Sequence, residues 1–185
     1  MQKRQYTNQY DLSKYSDAKI GVLSDTHSYI NPKIAAHLAD CDIILHAGDI
    51  GSFTVIKQLR EICKDVICVC GNNDNAWQWH QGEHNELKTI PQIAEVSLAG
   101  GMIIITHGDE YYADYESWHT QLRENFSNAK AIVYGHSHRF VCDQSQQPWV
   151  LNPGAAGETR TQKHGVSCLH IYTDSQDWKV KEIRA

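Results

Sequence analysis

The chain has 185 residues and a mass of 21.0 kDa, with 17 Lys plus Arg against 22 Asp plus Glu, a formal charge of −5, and 11 His beside only 3 Phe and 2 Met. That length suggests one folded unit with a core large enough to need no disulfides. No apolar run approaches the ~18 residues of a membrane-spanning helix, the polar start lacks the apolar core of a signal peptide, and the acidic balance argues against general nucleic-acid affinity.

In chain order, residues 1–17 are polar and without period, and they read as an extension ahead of the first strand. AKIGVLSD (18–25) is a short apolar run ending in polar residues. NPKIAAHLAD (31–40) has helical spacing with Pro32 near its start. CDIILHAGD (41–49) is a second strand. SFTVIKQLREIC (52–63) carries one apolar face, with Ser52 placed as its N-cap. DVICVCGNND (65–74) is a third strand. This β-α-β-α-β order is that of a parallel sheet with crossover helices. The stretch 75–92 fits no period and reads as a loop or cap over a site. Residues 93–108 form a hairpin turning at Gly100-Gly101, 117–126 a helix, and 129–138 another strand with a polar end. Short strands and turns complete the tail.

The six cysteines, Cys41, Cys63, Cys68, Cys70, Cys142 and Cys168, form no CxxC pair. Most sit in apolar runs, as buried reduced thiols of a cytoplasmic protein do. A zinc ribbon is excluded by the spacing.

Five apolar runs end in ligand-type residues: Asp25 and His27, Asp49, Asn72, His107, and His136 with His138. Each cluster alone reads equally well as a turn. Together they place two carboxylates, one amide oxygen and four imidazoles at strand ends, where burial is costly without a partner. A metal centre supplies one. Seven ligands suit two ions sharing a carboxylate, and mixed O and N donors without thiolate point to Mn, Fe, Zn, Co or Ni.

The order D-x-H, G-D, G-N-x-D, H-G, G-H-x-H resembles the calcineurin-like metallophosphoesterases, from about residue 18 to the end of the chain. The compact size, GNND in place of GNHE, and LNPG at Leu151–Gly154 are similar to the YfcE-type phosphodiesterase branch. The resemblance implies an α/β (α+β) fold: a four-layer αββα sandwich of two mixed sheets flanked by helices, with a dinuclear metal site at one sheet edge. It implies a single metallophosphoesterase domain over 18–185, after the 1–17 extension. Asp25, His27 and His138 would bind one ion, Asn72, His107 and His136 the other, and Asp49 would bridge. The implied activity is hydrolysis of phosphodiester bonds in small phosphoesters by a hydroxide activated between two divalent ions. Mn²⁺ is the first choice, with Ni²⁺, Zn²⁺, Fe or Co²⁺ as alternatives. The implied partner is a small-molecule phosphodiester, without general nucleic-acid or membrane binding; oligomeric state stays open, a homo-oligomer included. The alternative is a non-catalytic protein-binding scaffold of the same fold, as in the retromer subunit. None of the seven ligand positions is lost, which favours the enzyme.

The departures matter. Where GNHE members have a His thought to protonate the leaving group, this chain has Asn73, which cannot act as a general acid. Asp74 becomes the catalytic candidate, positioning water, receiving a proton or holding an imidazole. His107-Gly108-Asp109 stands in place of H-G-H, so Asp109 either bonds a ligand His or caps a turn. Asn73, Asp109, Asn152 and Arg160 are candidate substrate contacts, Arg160 through a bidentate guanidinium. His46 is expected in or near the core and His170 in a strand, with His37, His80, His84, His119 and His164 at the surface. Trp77 and Trp79 either line a cleft or seal the 75–92 loop.

Overall fold

The computed structural model describes residues 6–111, 115–157 and 165–185. Its first strand, β1 (Thr7–Asp11), lies inside the polar segment expected to precede every strand. It pairs in parallel with β5 (Ile93–Leu98), Thr7 opposite Ile93, at the edge of a sheet. Its residues alternate between exposed and half-buried. An edge strand held mainly by its backbone ladder leaves little apolar pattern to read, which is why composition conceals it. Tyr15 ties the same segment down by donating its hydroxyl to Asp65 at 2.6 Å.

The alternating pattern that follows is realised as β2 (Ala18–Leu23), α1 (Pro32–Leu38), β3 (Ile43–His46), α2 (Phe53–Ile62) and β4 (Asp65–Cys68), with β2, β3 and β4 parallel. Asn31 caps α1 by accepting from the Lys33 N–H at 3.0 Å, with Pro32 in the first turn. At α2 the cap differs from expectation. Ser52 holds the N-cap position without a side-chain bond, and Glu83 accepts from the Phe53 N–H at 3.1 Å. Thus the 75–92 stretch, which holds a 3-10 turn (Gln81–Glu83) and the short helix α3 (His84–Leu87), supplies the missing cap.

The second half contains β6 (Gly101–Thr106), antiparallel to β5, then α4 (Tyr115–Asn125), β7 (Ala131–Val133), β8 (Phe140–Asp143), β9 (Trp149–Pro153), β10 (Ser167–Thr173) and β11 (Trp178–Arg184). One sheet runs β1-β5-β6-β7-β9-β8 and the other β11-β10-β2-β3-β4, each mixing parallel and antiparallel pairs.

Strand alternation builds four layers from these elements. Val22, Ile43, Leu45, Ile103, Ile105, Ala131 and Val133 point into one core between the sheets. The intervening Ile44 packs with Ile34, Leu38, Val55, Ile56 and Leu59 of α1 and α2. Likewise Ile104 and Ile132 pack with Trp118 and Leu122 of α4. The fold is the expected sandwich of two mixed sheets flanked by helices. All six cysteines are free; Cys41, Cys63, Cys68 and Cys168 are buried, but Cys70 is only half-buried and Cys142 is exposed, because β8 is an edge strand.

Candidate metal centre

The ladder register brings strand ends into line. Leu23 pairs with His46 and His46 with Cys68, while Ile105 pairs with Val133. Each candidate ligand follows one of these ends by a few residues. The backbone there is unusual: Asp25, His27, Asp49, His136 and His138 have φ of 54°, 45°, 53°, 64° and 54°. This left-handed region disfavours residues with a Cβ, at an order of 1–3 kcal/mol each, and such residues cluster at functional sites. Cross-loop bonds hold the turns: Asp25 N–H to Gly48 O at 3.0 Å, His27 N–H to Asp49 O at 3.0 Å, and Gly135 N–H to His107 O at 3.1 Å. A Cβ on Gly71 would strike the Asp49 carboxylate, and one on Gly135 would strike the Ser24 hydroxyl.

Two donor groups converge. Asp25, His27, Asp49 and His138 each place one donor atom within 4.8 Å of the others. His27 Nε2 lies 3.3 Å from His138 Nε2, which lies 3.2 Å from Asp25 Oδ1. In the second group, Asn72 Oδ1 is 3.2 Å from His107 Nε2 and 3.0 Å from His136 Nδ1. Asp49 stands between them, with Oδ1 3.4 Å from His107 Nε2 and Oδ2 3.8 Å from His27 Nε2. His107 Nδ1 donates to Ala47 O at 2.8 Å, so its Nε2 is the nitrogen left for a ligand role.

The donors fit a cation. Both oxygens of Asp25 are fully buried and satisfied by no neutral donor; their one ion-pair neighbour among the described residues is His138, whose Nε2 is 3.2 Å from Oδ1. A buried carboxylate in that state is costly, and a cation is the partner its neighbours are built to share. Burial works against charge on His107, yet the carboxylates of Asp49 and Asp25 outweigh it and push its pKa up to about 9. Burial likewise opposes ionisation of Asp49, but His107 and the Asn73 donors hold its pKa well below the usual carboxylate range.

Other predicted residues fall in different places. Asn73 donates to Asp49 twice, from its backbone N–H (2.8 Å) and its amide Nδ2 (2.6 Å). Asp74, the catalytic candidate, is buried and its oxygens accept from Ile50 N–H, Gly51 N–H, Gly71 N–H and Trp79 Nε1–H at 3.0, 2.8, 2.9 and 2.9 Å. Those four bonds fill its acceptor capacity with loop donors. Asn152 is fully buried; it donates to Gly135 O at 2.7 Å and Ser137 Oγ at 3.2 Å, and accepts from Gly154 N–H at 2.9 Å. These bonds brace the His136–His138 turn. Asp109 is half-buried and lines a cleft beside His107. Arg160 and His164 lie outside the described residues.

Trp79 is buried and seals its loop through Asp74, while Trp77 is 97% exposed. His119, expected at the surface, is half-buried because α4 turns it onto Tyr134, with Nε2 3.0 Å from the hydroxyl. His46 is fully buried, as expected, its Nδ1 accepting from Gly48 N–H at 3.2 Å. The support that sequence reading missed is Thr26, whose Oγ1 accepts from His46 Nε2 at 2.9 Å and passes the chain to Ile50 O. This links the loops bearing Asp25, His27 and Asp49. A hydroxyl residue between two ligand types was the available signal.

A two-sheet sandwich with convergent Asp, His and Asn donors at one edge is the architecture of metallophosphoesterases. The calcineurin-like phosphoesterase superfamily domain matches residues 18–175, and the chain belongs to that family. A phosphodiesterase of Methanocaldococcus jannaschii is 28% identical over 145 residues, covering 74% of this chain and 82% of its own. An archaeal phosphodiesterase structure superposes with a TM-score of 0.65 at 24% identity, covering 89% of this chain and 99% of its own. Vps29 from Entamoeba histolytica, as a single mutant, superposes with a TM-score of 0.70 at 15% identity, covering 90% and 99%.

Proposed function

We propose that the protein hydrolyses phosphodiester bonds in small phosphoesters with a pair of divalent cations, Mn²⁺ foremost. The observation that carries this reading is the paired donor set: two groups sharing Asp49, one of them containing a buried carboxylate that accepts no hydrogen bond. Asp25, His27 and His138 would hold one ion, Asn72, His107 and His136 the other, and Asp49 both. Bound there, the ions would acidify a water into the attacking nucleophile and neutralise charge on the phosphoryl oxygens.

The chain's own groups do the rest. The Asn73 amide and N–H orient the Asp49 carboxylate so that its two oxygens serve different groups. The Ala47 carbonyl fixes the His107 tautomer. Asp74 and Asn152 position the loops and transfer no proton. With Asn73 unable to donate a proton to the departing oxygen, the leaving group must be stable as an anion. The family and the phosphodiesterase relative support an enzyme. The likeness to Vps29 supports the second reading, a protein-binding scaffold. Turnover of bis(4-nitrophenyl) phosphate with Mn²⁺, against a chelated control, tests the proposal; inactivity with Mn²⁺, Ni²⁺, Zn²⁺ and Co²⁺ alike favours the scaffold.

A further inference from the structure

The two imidazoles of the second donor group are held differently. His107 is locked from behind, its Nδ1 donating to Ala47 O at 2.8 Å. His136 has no such anchor. It faces the group through Nδ1, 3.0 Å from Asn72 Oδ1, and its Nε2 makes no hydrogen bond among the described residues. Its side chain is only half-buried. A ligating imidazole is ordinarily fixed by a partner on its far nitrogen. Without one, rotation of the ring would carry Nδ1 away from Asn72.

Aromatic contact takes the place of that partner. The His136 ring meets His107 at a centroid separation of 5.2 Å and an angle of 79°, and Trp118 at 6.3 Å and 64°. Both are edge-on contacts within the range that aromatic pairs favour. Among the described residues, Trp118 is the ring contact of His136 that lies outside the donor set. The sequence makes room for it. Residue 108 is glycine, and a Cβ there would meet Trp118 Cζ2 at 3.2 Å. Trp118 itself is buried on α4, in one cluster with Ile104, Leu122 and Ile132. The ring of Tyr134 backs the indole at 5.1 Å, and its hydroxyl lies 3.0 Å from His119 Nε2 on the same helix. Arg123 ties that helix to the β8–β9 hairpin, donating to Asp143 at 2.6 Å and to Pro148 O at 2.9 Å. The indole is therefore held by α4 and the sheet, independently of the ligand loops.

We propose that Trp118 is a positioning residue of the candidate metal centre: its indole fixes the His136 ring so that Nδ1 stays aimed at the second ion. The proposal rests on the two-cation reading above. The test uses the chelator-stripped full chain, with Mn²⁺ binding followed by calorimetry and folding checked by circular dichroism. Trp118→Phe keeps an aromatic ring, and Trp118→Met keeps flexible apolar bulk without one. The second ion should bind Trp118→Met about tenfold more weakly than the parent, with the first ion held within about threefold. Trp118→Phe should lie between Trp118→Met and the parent. A merely structural role would weaken both ions together. Unchanged affinity in Trp118→Met, a loss shared by both ions, or a Trp118→Phe variant no better than Trp118→Met overturns the assignment. Where neither variant folds, the parent decides: loaded with diamagnetic Zn²⁺, it should show nuclear Overhauser contacts between the Trp118 indole and the His136 ring, and their absence overturns it. A parent that takes up two ions but hydrolyses no bis(4-nitrophenyl) phosphate refutes the phosphodiesterase reading and leaves the role of Trp118 standing. A parent that takes up only one ion refutes the two-cation centre, and the role of Trp118 falls with it.

Discussion

Asp74→Asn separates a positioning role from proton transfer. Two of the four donors to Asp74, Ile50 N–H and Trp79 Nε1–H, make fully buried bonds. An amide keeps one acceptor oxygen and turns its own N–H₂ against the donors of the other. Each buried donor left unpaired costs about 1–3 kcal/mol. Burial raises the Asp74 pKa against the pull of these donors, so removing the charge returns part of that cost. The net expectation is a loss of about 2–4 kcal/mol, or roughly 5–15 °C in Tm for a chain of this size. Denaturant unfolding of the chelator-treated protein measures it. Ile50 and Gly71 adjoin Asp49 and Asn72, so Mn²⁺ affinity should fall about 10–100-fold, with turnover largely recovered at saturating Mn²⁺. Unchanged stability together with loss of one limb of the pH–rate profile would refute this, because that is the signature of a proton-transfer group.

Other expectations follow from the same geometry. Asp25→Asn removes a buried carboxylate that accepts no hydrogen bond and faces only His138 Nε2 at 3.2 Å, so the metal-free variant should be about as stable as the parent. It should lose the gain that Mn²⁺ at 100 times its Kd gives the parent, about 2.7 kcal/mol; a retained gain in thermal unfolding would count against Asp25 as a ligand. His107, with its pKa up at about 9 in the metal-free protein, stabilises that form fully below about pH 6.5 and progressively less as pH rises through 9. A cation needs the unprotonated ring, so Mn²⁺ affinity should climb about tenfold per pH unit between 6.5 and 8.5 for one displaced proton. A flat calorimetric profile over that range would contradict it. With Asn73, which carries no acidic proton, beside Asp49, an aryl phosphodiester should turn over far faster than an alkyl phosphate, and comparable rates would show that a proton donor exists.

What the sequence revealed and what it hid have physical causes. The β-α-β-α-β order from Ala18 to Cys68 was legible because each strand is a continuous apolar run and each helix has one apolar face. The candidate ligands were legible because they sit immediately after those runs. The strand Thr7–Asp11 was hidden because it lies at an edge, where burial imposes no pattern. The hydrogen bonds of Asp74 and Asn152 were hidden for a different reason. A carboxylate or amide beside a metal ligand has the same sequence appearance whether it faces a substrate or accepts from backbone N–H groups a loop away. Only the fold distinguishes these, since Asp74 meets Ile50 and Gly51 from a distant segment. The left-handed φ values at Asp25, His27, Asp49, His136 and His138 were equally unreadable, because none of these residues is glycine.

The most direct test of the central claim is a titration of chelator-stripped protein with Mn²⁺, following bis(4-nitrophenyl) phosphate hydrolysis at each addition. The shared carboxylate of Asp49 between two donor groups predicts two ions per chain, with hydrolysis rising as the second binds and both lost in Asp49→Asn. Saturation at one ion per chain with full activity, or hydrolysis that Asp49→Asn leaves intact, would contradict it.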